Sequence, residues 1–329
     1  MITSNHRRLL MLAVTLSTIF AAASECTAQN YPSKPIRMVV PFPAGGGVDV
    51  VGRIVAQQVA DQTGQQIVAD NRAGASGSIA AEIVAHANPD GYTILFALDS
   101  VITANPHLLR GLSYDPLKDL APISRVGVSQ LVIVVNPKLP AQSLKDLIAL
   151  AKEKPGQLNI GSAGFGSTAH LAGELFVRTA GIRVIHVPYK GSPQAITDVV
   201  SGQIQLTTPT LPAAMGMITS GRVRALAVTG VKRSAAVPQI PTASEAGLPG
   251  YEVEFWVGFL APAKTPRVMV EKLASEIKLA LKDSAVQAAM LKQGMEPAAS
   301  TPHTLSELIS KDSQKWAKLI REANIHVGG

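Results

Sequence analysis

Apolar residues along this chain recur in two rhythms. Short runs rich in Val, Ile and Leu, such as IRMVV from Ile36 and TILFAL up to Leu98, give way to stretches in which apolar positions return every three to four residues. The first rhythm predicts strands and the second amphipathic helices. Read in this way, the chain begins with strand 36–42, helix 49–61, strand 66–70, helix 76–87 and strand 92–97. Strand 130–135, helix 144–152, strand 159–162 and helix 168–180 follow, and the theme continues through 184–188, 193–201, 203–207, 211–219 and 223–228. Two helices near 267–282 and 304–323 close the pattern. Such alternation predicts an α/β protein with mostly parallel sheets.

Two strand-to-helix junctions are rich in glycine: PAGGGVD at 43–49 and GSAGFGST at 161–168. Each glycine weakens regular structure by roughly 0.5–1 kcal/mol relative to alanine, so a cluster marks a sharp turn or a close approach. In open α/β sheets, ligands bind beyond the carboxyl ends of strands, where such junctions lie. The two loops fall in different halves of the chain. If the halves form separate lobes, each offers one loop and a ligand between them meets both, as in a hinged clamp. Crossings near 126–130 and 228–231 divide the chain into a first lobe of 29–127 plus 229–329 and a second lobe of 128–228. Backbone N–H groups at a helix start favour anions. Asp49 reads as an N-cap, whereas Gly45, Gly46 and Gly47 serve no cap and point to a ligand.

Composition narrows the classes. A chain of 329 residues, 47% hydrophobic and 16% charged, is long enough for two lobes. Its net charge of +7 comes from cations dispersed singly among acids, with no basic run and no interleaved aromatics, so a nucleic-acid partner is not expected. His6, Arg7 and Arg8 precede the apolar segment 9–23, which ends in small residues. Residues 1–28 therefore read as an export signal cleaved after Ala28, with Ala23 as a competing position. The only cysteine, Cys26, leaves with it, so neither a disulfide nor a cysteine metal site is expected.

Other chemistry is poorly supported. The first loop lacks the Gly-Lys-Ser/Thr ending of a phosphate loop. GFGSTA fits a dinucleotide fingerprint by letter, but the next strand, VIHVPYK, lacks the ribose-binding acid, so no cofactor is expected. Ser162 lies in IGSAG, with Ile160 where a nucleophile elbow needs glycine, so no catalytic residue is assigned. His170 and Glu174 share a helix face, but no third ligand stands nearby in sequence, and no metal is expected. Lys190 in PYKGS reads equally well as an anion partner and as a solvated side chain.

NRAGASGSIAAE, NPDGYT, SAGFGSTAHLAGELF, HVPYKGS, GRVRALAVTG, PTASEAGLPGYE and FWVGFLAPAKTP occur in this order. With them the chain resembles, over about 31–325, the substrate-binding proteins of tripartite tricarboxylate transporters, the Bug receptors of proteobacteria. The resemblance implies a two-lobed periplasmic binding fold of the type II, Venus flytrap kind, with a ligand cleft between lobes. It implies a monomeric receptor, not an enzyme, that captures a small mono- or dicarboxylate, aliphatic or aromatic, and passes it to membrane permease subunits. In that family, backbone amides and ordered waters from two loops hold the carboxylate. Here these would be Pro43, Ala44, Gly45, Gly46, Gly47 and Val48, opposed by Ser162, Ala163, Gly164, Gly166, Ser167 and Thr168. Asp99, Ser100, Tyr189, Lys190 and Thr208 complete the candidate site.

The departures bear on the ligand. Val48 replaces a family threonine, removing a hydroxyl donor. Gln205, Pro209 and Thr210 stand where many relatives carry Asp, Asp and Asn, which argues against a ligand ammonium. Asp99 faces either a hydroxyl or amine of the ligand, or solvent. Two alternatives to the transport role are a ligand-sensing receptor that docks on a sensor protein and, with less support, a periplasmic hydrolase.

Overall fold

A computed structural model describes residues 31–322 and residue 325. The export-signal reading lies outside the described residues. The first stretch contains β1 (Ile36–Val40), α1 (Gly47–Thr63), β2 (Ile67–Asn71), α2 (Ser78–Ala85) and β3 (Thr93–Leu98). Three short helices follow, α3 (Asp99–Thr103), α4 (Asn105–Leu108) and α5 (Pro116–Asp119), and then the long strand β4 (Leu120–Gln130). The middle of the chain holds β5 (Val132–Val135), α6 (Leu144–Glu153), β6 (Asn159–Ser162), α7 (Thr168–Ala180) and β7 (Ile185–Pro188). It continues with α8 (Ser192–Ser201), β8 (Leu206–Thr207), α9 (Leu211–Thr219) and β9 (Arg224–Val228). The last part is β10 (Glu254–Pro262), α10 (Arg267–Ala280), α11 (Ser284–Lys292), β11 (Glu296–Pro297) and α12 (Pro302–Glu322).

These strands form two sheets, one in each of two lobes. Six strands are ordered β11-β4-β10-β3-β1-β2 and five are ordered β7-β6-β8-β5-β9. The sheets are mixed, which corrects the expectation of mostly parallel ones. β1 pairs in parallel with β2 and β3, and β6 with β7 and β8. β10 is antiparallel to β3 and β4, β11 to β4, and β5 to β8 and β9.

In the five-stranded sheet the correction lies in the direction of β5, a predicted strand; in the six-stranded sheet it traces to two strands that periodicity does not reveal. β4 is interrupted by Ser124, Arg125 and Ser129, yet these side chains are spent on neighbouring backbone. Ser124 Oγ donates to the Ser300 carbonyl, Arg125 Nε to Ala298 and Ser129 Oγ to Gly294. β10 is the opposite case, a nearly continuous apolar run buried on both faces, with no alternation to read.

The chain passes from one sheet to the other through Leu131, between β4 and β5, and returns through 229–253. Fully buried Thr229 joins the two passages: its Oγ accepts from Leu131 N–H at 2.9 Å and donates to the Val253 carbonyl. A helix predicted at 76–87 starts later, at Ser78. Gly74, Ala75, Ser76 and Gly77 have φ of 131°, 45°, 54° and 91°, a left-handed turn that cannot continue into a right-handed helix.

Candidate functional site

The first glycine loop leaves β1 and enters α1 without a side-chain cap. Its N-cap is Gly46, with φ −68° and ψ 153°. Asp49, expected as the cap, is instead the third helical residue and is 1% exposed. Its Oδ2 accepts from Gly45 N–H and from Arg53 Nε, both at 2.9 Å, and Oδ1 accepts from Asn71 Nδ2 at 2.8 Å. Burial alone would raise its pKa. The hydrogen bonds from Arg53, Asn71 and Gly45 outweigh that and hold it below the usual carboxylate value.

Asp49 therefore fixes the loop from beneath and consumes one amide, that of Gly45. The N–H groups of Gly46, Gly47, Val48 and Asp49 take no protein acceptor among the described residues. Pro43 to Gly46 are exposed, Gly47 is half-buried and Val48 is buried. Gly45, at φ 81°, supplies the turn. A Cβ built on Gly47 would lie 2.8 Å from Cβ of Pro212 at the start of α9, so this loop faces the other lobe at contact distance.

The second loop is finished differently. Ser167 caps α7, its Oγ accepting from His170 N–H at 3.2 Å and donating to the Gly164 carbonyl at 2.7 Å. Gly166 N–H donates to His170 Nδ1 at 3.1 Å, Gly164 N–H to Ser162 Oγ at 3.2 Å and Ser167 N–H to the Gly164 carbonyl at 3.2 Å. Among the described residues, this leaves Ala163, Phe165, Thr168 and Ala169 with N–H groups that have no protein acceptor, scattered along the loop rather than successive.

The tip of this loop also touches the first lobe. Ser76 Oγ donates to the Phe165 carbonyl at 2.9 Å, and Thr168 Oγ1 donates to Asp99 Oδ1 at 3.5 Å. Asp99, at the start of α3, is 1% exposed, and its Oδ1 also accepts from Ser100 N–H at 2.7 Å. Burial, reinforced by the negative charge of Asp312, pushes its pKa up to about 8, so the acid is largely neutral at pH 7. Ser100 is buried beside it.

Beneath the second loop, His170 and His186 stack with ring centroids 4.2 Å apart and planes 18° from parallel, and Phe165 meets both edge-on. Burial lowers His170 to about 3, with His186 contributing, and lowers His186 to about 4. Both rings are neutral. Glu174 lies 3.8 Å from His170 Nε2, and burial raises its pKa. The fold thus brings His186 up as a third group beside His170 and Glu174, with one ligand atom of each within 4.8 Å of the others.

That trio was not visible in sequence spacing, but it is not arranged to hold a metal. A metal lies in the plane of each imidazole it binds, and nearly parallel stacked planes share no such point. His170 Nδ1 accepts a hydrogen bond, so its proton sits on Nε2, the nitrogen facing Glu174. Ser162 Oγ and His186 Nε2 are 2.7 Å apart, a nucleophile–base distance. Ser162, however, is 1% exposed and bound to Gly164, and His186 is too weakly basic to serve near neutral pH.

The remaining candidates are the flank of the second loop and the residues packed behind it, with the Tyr189 carbonyl 3.0 Å from where a Cβ on Gly164 would sit. Tyr189 OH donates to Asp198 Oδ2 at 2.7 Å, with its pKa pushed up to about 12 by burial and by Asp198. Lys190 is exposed. Thr208 is fully buried, its Oγ1 donating to the Ala169 carbonyl under α7 at 2.8 Å. Ala163 and Gly164 are half-buried. Sequence reasoning missed Ser76, Asn71 and Pro212. Only Ser76 had a signal, the glycines on either side of it. Two concavities, of about 250 Å³ beside Arg125 and Lys232 and about 460 Å³ between α1 and α11, are not lined by residues of either loop.

The family model described as "Tripartite tricarboxylate transporter family receptor" matches residues 51–325, and the chain belongs to that family. Protein BugT of Bordetella pertussis is 37% identical over 319 residues, covering 97% of this chain and 98% of that one. Among solved structures, Rhodopseudomonas palustris Rpa4515 with adipate is 34% identical with a TM-score of 0.86, over 90% of this chain and 99% of that one. The periplasmic binding protein BugD is also 34% identical, with a TM-score of 0.83 over 90% of this chain and 99% of that one. MatC from Rhodopseudomonas palustris with bound malate is 30% identical, with a TM-score of 0.80 over 88% of this chain and 100% of that one. No helix among the described residues is long and apolar enough to cross a membrane.

Proposed function

We propose that this receptor captures a small carboxylate in the periplasm and delivers it, as a monomer and without chemistry, to the permease subunits of a tripartite tricarboxylate-type transporter. The lobes, 29–127 with 229–329 and 128–228, close around the ligand. Its acid group sits on the first loop, Pro43 to Val48, and the opposed second loop completes the enclosure through Phe165, Thr168 and Ala169.

The observation that carries this reading is the uncapped start of α1. Among the described residues, four successive N–H groups lack a protein acceptor, and the acid beside them, Asp49, has turned its oxygens to Gly45, Arg53 and Asn71. Charge-assisted hydrogen bonds to such amides are roughly twice as strong as neutral ones, so the acid group is held without a buried cation. The ligands named with two relatives, adipate and malate, make dicarboxylates the first candidates. Val48, where a hydroxyl residue would add a donor, suits a ligand with an apolar backbone.

The test is thermal unfolding of the exported protein against mono- and dicarboxylates, sugars, amino acids and cations. A ligand at a hundred times its Kd adds about 2.7 kcal/mol to stability, so a carboxylate should raise Tm by several degrees. A rise with sugars or cations, and none with any carboxylate, would falsify the assignment.

A further inference from the structure

Ser76 is the second of two consecutive non-glycine residues in the left-handed region, with φ 54° after 45° at Ala75. A glycine would adopt this backbone without strain. What serine adds is its hydroxyl, and Oγ reaches the Phe165 carbonyl, 89 positions away in sequence and in the opposite lobe. The turn is braced from behind: Asn105 Nδ2 donates to the Ser76 carbonyl at 3.1 Å and to Ser78 Oγ at 3.0 Å, and Asn105 is 1% exposed. Beside it, Leu108 lies against Gly166, where an added Cβ would come within 2.8 Å of Leu108 Cδ1.

We infer that Ser76 is a positioning residue that latches the tip of the second loop to the first lobe through the Phe165 carbonyl, favouring the closed state and slowing ligand release. This deepens the receptor reading and rests on it. The bond crosses between lobes, so it exists only when they meet, whereas the left-handed backbone of the turn persists in both states. Strain in the turn is therefore a property of the fold, and the hydroxyl is a property of closure. Within the second loop the amides at Gly164, Gly166 and Ser167 are spent internally, which fixes the tip whose Phe165 carbonyl the hydroxyl holds.

The experiment compares wild type with Ser76→Gly, which relaxes the turn and removes the hydroxyl, and Ser76→Ala, which removes the hydroxyl alone. Spin labels at Leu117→Cys and Ile185→Cys, exposed positions on opposite lobes, report the closed-to-open ratio without ligand. Stopped-flow displacement gives the dissociation rates of adipate and malate.

One exposed hydrogen bond corresponds to roughly two- to tenfold. Both variants should lower the closed-to-open ratio and raise the dissociation rate by that factor, with association rates unchanged. A Ser76→Gly protein matching wild type in both readouts overturns the latch, as does a wild type wholly open without ligand. A wild type that binds no carboxylate refutes the receptor reading instead, and the label distances then decide the latch alone.

Discussion

The two glycine loops resemble one another in sequence and differ in how their hydrogen bonds are spent. In the first, the helix start is left bare: Gly46 caps α1 with no side chain, and the nearest carboxylate, Asp49, supports the loop from the core side. In the second, the unpaired N–H groups are scattered between amides spent on Ser162, His170 and the Gly164 carbonyl, and Ser76 holds its tip from across the cleft. In the proposed reading, the first loop binds the acid group and the second closes over it. An anion site therefore requires more than glycine beside a helix; it requires that neighbouring side chains decline the amides.

The largest effects should come from filling the bare loop. A Cβ on Gly46 meets only the Pro43 carbonyl, at an ordinary 3.5 Å, so Gly46→Val should fold as wild type while occupying the space above the free amides. Losing two charge-assisted bonds of about 1.5–3 kcal/mol each weakens binding of the best carboxylate by roughly 100-fold or more. Gly47→Val should match that loss by another route, because its side chain strikes Pro212 as the lobes meet. Calorimetric titration and ligand-free thermal melts separate the two readouts. Unchanged affinity in Gly46→Val would move the carboxylate site elsewhere.

Next come the supports beneath each loop. His170→Ala removes a buried ring that stacks on His186 and accepts from Gly166 N–H, so it should cost about 2–4 kcal/mol in denaturant unfolding. Asp49→Asn keeps the shape but weakens three hydrogen bonds, and should cost about 1–3 kcal/mol. Their effects on binding should diverge. Asp49→Asn disturbs the free amides directly and lowers affinity several-fold, whereas His170→Ala releases an amide in the loop that closes. Equal affinity losses would erase the distinction between the loops.

Much of this architecture was legible in the chain. The 159–162 strand and the 168–180 and 211–219 helices coincide with observed elements, because each is bounded by glycine, proline or a polar cap. The two strands most responsible for the order of the six-stranded sheet, β4 and β10, were not, since one interleaves polar residues that bond to backbone at 294–300 and the other is apolar after Glu254. The family was readable from ordered motifs, and the position of both loops from their glycines. What the residues did not disclose is which amides stay free. That depends on contacts made over long separations: Asn71 to Asp49, and Ser76 to Phe165.

The smallest effects distinguish the walls of the cleft by pH. Asp99, on the first lobe, has its folded pKa raised to about 8 from 3.8. Between those values the folded protein keeps a proton that the unfolded chain has released, so stability falls as pH rises and levels off above about 8. His170 and His186, on the second lobe, are lowered to about 3 and about 4 from 6.5. Below 6.5 the unfolded chain takes up protons that the folded protein refuses, and stability falls as pH drops towards 3. The two trends oppose one another between about 4 and 6.5; above 6.5 the histidines no longer contribute, and Asp99 acts with Asp312 and Glu174, which burial shifts in the same direction. Among the surroundings of Asp99, which are Ser100, Thr168, Asp312 and Lys315, the cation Lys315 lowers the value, but by less than burial raises it, so the sign stands. Wild type should therefore lose about 1–2 kcal/mol between pH 6.5 and 8 in urea unfolding, and Asp99→Asn should flatten that interval. A wild-type curve level from pH 6.5 to 8 would mean that Asp99 is charged in the closed protein, and Thr168 would then be hydrogen-bonded to a carboxylate rather than to a neutral acid.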